Sequence, residues 1–409
     1  MKTSTTALRY VVIALIVLIL GGLWGLYSYL RSARDQTSAQ NSARGYGSAQ
    51  PVFEGSSGST YQNAASTLGS AGISTGTSTQ RLWEVSAVPV AGFGWSRDAV
   101  PKLYFAERSS GYLFSADLPT RDITRLTDTL RPQIYQALFS QDGSVVERSI
   151  DDTGALITFA GKAASSTPDA TSSVAELVGL DLPQDISAIA TDPISGTLFY
   201  LIPSASGVSL ISSDWKGAKE KSLYASPLEG WRIYPTGGGA IALAQTAADG
   251  VPGFAYTLQK NGALLPLAQG PGLTILPKTG SSALLFGESS GNQLALFSQA
   301  SASAQPVNLP IYTVADKCAW GPATVAYCGV PQSIPSQQFL DDWYKGLVHT
   351  TDAIWQIDTS DGTTTLLYSP QGSAGVSVDV ENPSVDPTGN YMAFTNAADQ
   401  SLWVLKILP

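Results

Sequence analysis

Between Cys328 and Ala353 runs GVPQSIPSQQFLDDWYKGLVHTTD. Within it Asp341, Asp342, Trp343, Tyr344, Lys345, His349 and Asp352 gather carboxylates, large aromatic rings, an amine and an imidazole into one short segment. Aromatic faces beside carboxylates suit a sugar, a peptide or another protein. A catalytic set is harder to assemble. His349 is the only histidine of the chain, so a Ser-His-Asp triad or a multi-histidine metal site has at most one possible centre. Neither a phosphate-cradling G-x-x-x-x-G-K-[ST] nor a strand-borne G-x-G-x-x-G occurs. Paired carboxylates for glycoside hydrolysis need a spacing of roughly 5–9 Å, which only the folded chain can provide. Asp151-Asp152 and Asp341-Asp342 are neighbours in sequence; a strand would send such neighbours to opposite faces, and a solvated turn is the expected setting for both.

Cys318 and Cys328, in KCAWGPATVAYC, are the two cysteines. A three-residue loop centred on Ala323 places them opposite each other, with Cα atoms about 4.5–5.5 Å apart, within reach of a disulfide. Closing so short a loop stabilises by roughly 2–3 kcal/mol and points to an oxidising, extracytoplasmic compartment. The alternative is a pair of buried thiols. Two cysteines and one distant histidine lack zinc-ligand spacing, so no metal and no cofactor is expected.

These residues sit in a chain built for strands. It has 409 residues, of which 13% are charged, with 39 Gly and 24 Pro; an average chain carries roughly 25% charged residues. Many short strands with many turns fit this composition better than long helices do. The formal charge is −9. Residues 1–80 hold Lys2, Arg9, Arg31, Arg34 and Arg44 against Asp35 and Glu54, a net +3, so the rest of the chain carries −12 of the total −9. An acidic body excludes nucleic acid and anionic lipid as its partners, since both require displaced counterions.

Tyr10–Leu30, YVVIALIVLILGGLWGLYSYL, contains no charge and is long enough to cross a hydrocarbon core of roughly 30 Å as a helix. Its apolar run exceeds that of a cleaved signal peptide and ends in Tyr-Leu-Arg instead of small residues, so residues 1–30 are expected to be an uncleaved signal anchor. Residues 31–80 are mostly Ser, Gly, Ala, Thr, Gln and Asn. They are expected to form a flexible linker with a root-mean-square span of about 35–42 Å. Lys2 and Arg9 face Arg31 and Arg34 across the span, so charge alone barely orients it. The downstream content favours the extracytoplasmic side over a cytoplasm-facing head.

From Arg81 a strand–turn–strand signal recurs seven times: near Asp98, at Asp142-Gly143, Gly196, Gly237, Gly280, Pro322 and Gly389. Successive spacings are about 44, 53, 41, 43, 42 and 67 residues, the signature of a β-propeller. Residues 81–409 are therefore expected to form an all-β, seven-bladed β-propeller, with six or eight blades as the neighbouring possibilities. The stretch DLPTRDITRLTD resembles the TolB-type repeat. FSQDGS and VDPTGNYMAF are similar to the Ser-Pro-Asp-Gly turn of that repeat and of Trp-Asp-repeat propellers. This resemblance implies fold only.

Two expectations follow from the ring. The last blade ends after its third strand, so RLWEVSAVPV (81–90) should pair beside Ser401–Ile407 and close the circle. The long last spacing marks the segment between Cys328 and Ala353 as an insertion in a loop that usually holds about 2–6 residues. That loop opens on the face where propeller ligands often enter. The insertion is thus either a binding surface or an ordered lid anchored by Phe339 and Trp343. Together these features suggest a membrane-anchored, extracytoplasmic binding or scaffold module of the cell envelope with a protein or glycan partner. The alternative is an envelope hydrolase or lyase acting on glycan, with carboxylates at the channel mouth.

Overall fold

The computed structural model describes residues 81–164, 174–192, 195–371 and 375–407. The expected signal anchor and linker lie outside the described residues. Among the described residues, no helix is long and apolar enough to cross a membrane.

The described chain forms seven four-stranded sheets. In the first six the strands follow one another in order from the inside outward, beginning with Val90–Trp95, Ile134–Phe139, Ala188–Thr191, Trp231–Gly237, Thr274–Pro277 and Cys318–Trp320. The seventh takes Val380–Val385, Tyr391–Asn396 and Leu402–Lys406 from the end of the chain and Leu82–Ser86 from the start. Leu82 pairs with Leu405 and Trp83 with Val404. The Arg81 guanidinium donates to the carbonyls of Lys406 and Ile407. The expected closure is thus present, and it covers the strand edge that Leu402–Lys406 would otherwise expose.

All seven turns read from the sequence fall between the first and second strands of a blade. Their chemistry is local. In the last, Gly389 takes φ +77° and its N–H bonds Asp386 O at 2.9 Å, while the Asp386 carboxylate accepts from the N–H groups of Thr388 and Tyr391. A left-handed residue closes the turn and a side chain caps it.

Each sheet buries its apolar side against the next one. Seven clusters of buried side chains occupy the seven junctions. The junction between blades seven and one, for example, joins Leu402 and Val404 to Val90, Leu103 and Phe105. Each such residue contributes about 1.5–3 kcal/mol by leaving water. Near the axis the inner strands come close. A Cβ on Gly94 would stand 2.6 Å from Phe139 Cβ, so only glycine fits there.

Cys318 and Cys328 are directly paired across the first two strands of blade six and form a disulfide with a Cα–Cα distance of 4.1 Å. The bond lies in the cluster between blades five and six.

Candidate functional site

The insertion leaves blade six at the end of its second strand, Val325–Pro331, and returns at the start of its third, Asp352–Asp358. Pro331 pairs with Asp352, and Gln332 N–H bonds Thr351 O at 3.0 Å. The loop therefore has a narrow neck, at the end of the ring where the innermost strands begin.

The insertion folds back over the ring. Phe339–Tyr344 is a short helix whose Phe339, Leu340 and Trp343 are buried. They pack on Ala247 of blade four, Leu294 of blade five and Val314 before blade six. The spacing 339, 340, 343 puts the three on one helix face. Phe339 and Trp343 stack with ring centroids 6.3 Å apart. Asp341 and Asp342 lie in the first helical turn, not in the solvated turn expected for them. There they face the positive end of the helix. Asp341 Oδ2 accepts from Asp249 N–H at 3.3 Å, and Asp342 accepts from Ser336 Oγ.

Beneath the helix lies a buried charge network. Lys317 ends the 3-10 turn Ala315–Lys317 and has no exposed surface. Its Nζ donates to Asp352 Oδ2 at 2.8 Å, Thr350 Oγ1 at 3.0 Å, Val380 O at 3.2 Å and the Asp379 carboxylate. It also sits 4.5 Å from the centre of the Trp343 ring. Asp379, just before the innermost strand of blade seven, accepts from Trp343 Nε1 at 3.1 Å and Thr350 N–H at 3.2 Å, and faces His349 Nδ1 at 3.3 Å. Burial alone would raise the Asp379 carboxyl, but the Lys317 ammonium and the Thr350 hydrogen bonds override it and hold it below the ordinary range. For Asp352, burial outweighs the attraction of Lys317 and leaves the carboxyl raised.

A second network reaches across the channel mouth. Arg232, on the innermost strand of blade four, makes a bidentate pair with Asp316 at 2.8 and 2.9 Å. The Tyr344 hydroxyl donates to Asp316 and accepts from Arg232 at 3.0 Å. Burial, reinforced by the Asp316 charge, raises the Tyr344 phenol well above its usual value, so it acts here as a neutral donor. Blades four and six are thereby tied over the inner end of blade five, with the insertion as the third partner.

The candidate residues of the insertion thus divide. Trp343, Tyr344 and Asp352 point into the two networks, and Asp341 and Asp342 fasten the helix. Lys345 is half-buried after the helix, and His349 stands at the rim with 39% of its side chain exposed. Lys317, Asp379, Arg232 and Asp316 were not singled out from the sequence. Lys317 adjoins Cys318, but nothing in its neighbours marks it as buried.

Beside the insertion opens a groove of about 710 Å³. Pro271 of blade four, Glu288 and Asn292–Ala295 of blade five, Tyr312, and Pro331–Ile334 of the insertion line it. Tyr312 is 69% exposed. The stretch Gly287-Glu288-Ser289-Ser290-Gly291 spells G-x-S-x-G. It carries no esterase elbow: it closes a strand and turns into another strand, and Ser289 is fully buried with its Oγ donating to Asp249. Among the described residues, no cluster of His, Cys, Asp and Glu could hold a metal ion.

No protein-family model and no curated protein sequence matches the chain. Among solved structures it is similar to a streptogramin B lyase at 14% identity, covering 80% of this chain and 97% of that one with a TM-score of 0.47. It is also similar to the β-propeller domain of Cps50 (Swd1) from Myceliophteria thermophila, at 9% identity, 80% and 100% coverage and a TM-score of 0.49. A third is hydrazine synthase from Kuenenia stuttgartiensis, at 11% identity, 78% and 96% coverage and a TM-score of 0.48. Likeness of this degree says nothing about activity.

Proposed function

We propose that this protein is a non-catalytic binding module of the cell envelope, held at the membrane by residues 1–30 and presenting the insertion face of its propeller to a glycan or protein partner on the extracytoplasmic side. The observation that carries the proposal is the open groove walled by the insertion, with an exposed aromatic ring on its edge. The state of the carboxylates supports it. Asp316, Asp352 and Asp379 at the mouth are each paired with Arg232 or Lys317, so these three are not a free pair of the kind a glycoside hydrolase uses. The buried disulfide fits an oxidising compartment, and the uncharged run 10–30 fits an anchor.

The test is a photo-crosslinking comparison in the native membrane. A benzophenone side chain is placed at Tyr312 of the full chain and, separately, at Val100, a 56% exposed residue in a first-to-second-strand turn on the opposite face. Adducts from position 312 and none from 100 are expected. Equal adduct patterns, or none from 312, would overturn the proposal.

A further inference from the structure

Tyr312 is held out by its neighbours. Ile311 and Thr313 on either side are buried, and Thr313 Oγ1 donates to Gly329 O at 2.6 Å. The backbone is thus pinned on both sides of a ring that faces solvent, so a partner stacking on it orders nothing new.

The polar groups around it point to the partner's chemistry. Glu288 is the single charged residue lining the groove, and no Lys or Arg among the described residues lines it. The Glu288 carboxylate has no hydrogen bond or ion pair among the described residues, and burial raises its pKa. It occupies space that Gly270 leaves open: a Cβ there would come within 2.4 Å of Glu288 Oε1. Asn292 and Gln293 likewise have side-chain amides without partners among the described residues, and Gln332 Oε1 accepts from Gln371 at 2.8 Å, which leaves its amide N–H groups to donate. A partly dehydrated, unpartnered acceptor needs donors, and neutral amides supply both donors and acceptors.

An anionic ligand would meet an unopposed carboxylate. A ring-shaped ligand with an apolar face for Tyr312 and hydroxyls for Glu288 and the amides meets every one of these demands. The volume of about 710 Å³ lies within the roughly 300–1,000 Å³ of small-molecule sites. We infer that the groove between Tyr312 and Gln332 is a subsite for an uncharged glycan, with Tyr312 as the stacking platform and Glu288 as the hydroxyl acceptor. This inference rests on the reading of the insertion face as a binding surface and names its ligand class.

The experiment uses the full chain in a detergent without sugar headgroups. Calorimetry and saturation-transfer NMR are run with neutral oligomers of glucose (α- and β-linked), mannose, xylose and N-acetylglucosamine, with an oligogalacturonate as the anionic probe and a Lys/Pro-rich peptide as the cationic one. At least one neutral oligomer is expected to bind, and the oligogalacturonate is not. Tyr312→Ala should weaken that binding about tenfold or more and Glu288→Gln several-fold, with melting temperatures held and Val100→Ala without effect. The inference is overturned if no neutral oligomer binds at up to about 10 mM, if both variants bind like the parent, or if only the peptide binds. Peptide binding together with crosslinks from position 312 would leave the binding surface standing and remove the glycan. Loss of the crosslinks as well would remove both.

Discussion

Lys317 Nζ lies 2.8 Å from Asp352 Oδ2, and neither side chain has any exposed surface. Asp379 completes the set from the next blade. Three ionisable groups so far from water persist because Lys317 pairs with both carboxylates. They also hold Thr350 and Trp343, and through them the insertion, against the ring.

Removing the ammonium should therefore cost more than a surface charge would. Lys317→Met is expected to destabilise the fold by about 3–5 kcal/mol, because two carboxylates stay buried without a counter-charge. Urea unfolding measures this. Adding Asp352→Asn and Asp379→Asn to the same chain should recover part of the loss; a further loss would show that the groups do not act as a unit.

Glu147 predicts a pH dependence. It is 2% exposed in the second strand of blade two, with Oε2 2.9 Å from Arg131 Nε. Burial outweighs the Arg131 charge and lifts its pKa from 4.5 to about 7. Between those values the folded state binds more protons than the unfolded one, so stability falls as pH rises from 4.5 to 7. The expected fall from this group is about 3 kcal/mol. Glu147→Gln should flatten that limb in denaturation curves taken across the interval, and an unchanged slope would contradict the assignment.

The disulfide offers a third check. Intact mass should rise by two hydrogens on reduction under denaturing conditions. Replacing Cys318 and Cys328 together by serine should lower stability by about 2–3 kcal/mol, the closure entropy of so short a loop.

Ring closure offers a fourth. Leu82 is 2% exposed in the closing strand and packs on Leu405 and Met392. Leu82→Ala is expected to cost about 2–5 kcal/mol. Val88→Ala, at a 38% exposed position just beyond that strand, should stay within about 0.5 kcal/mol. Thermal melts separate the two.

The architecture was legible because it repeats. Turn chemistry at Gly143, Gly196 and Gly389 has a local cause, so it shows in sequence, and its spacing revealed both the seven blades and the excess residues of the insertion. The pairing of Cys318 with Cys328 followed from the loop between them. What the insertion does was less legible. Its helix is six residues long, too short for a period to register, so Asp341 and Asp342 read as a turn. The partners of Trp343 and Tyr344 lie on other blades: Asp379 is 36 residues away and Arg232 is 112. Tyr312 sits in an inter-blade connection where no alternation tells an inward ring from an outward one.

If the proposal holds, the insertion face meets the partner and the opposite face does not. Hydrogen–deuterium exchange on the full chain tests this, comparing the protein in membrane vesicles from the cells that make it with the protein purified in detergent. Slower exchange in the vesicles is expected at 288–295, 311–314 and 331–334, with the turns at 97–101, 141–143 and 388–390 unchanged. Protection confined to those turns, or no protection at the groove, would contradict the account.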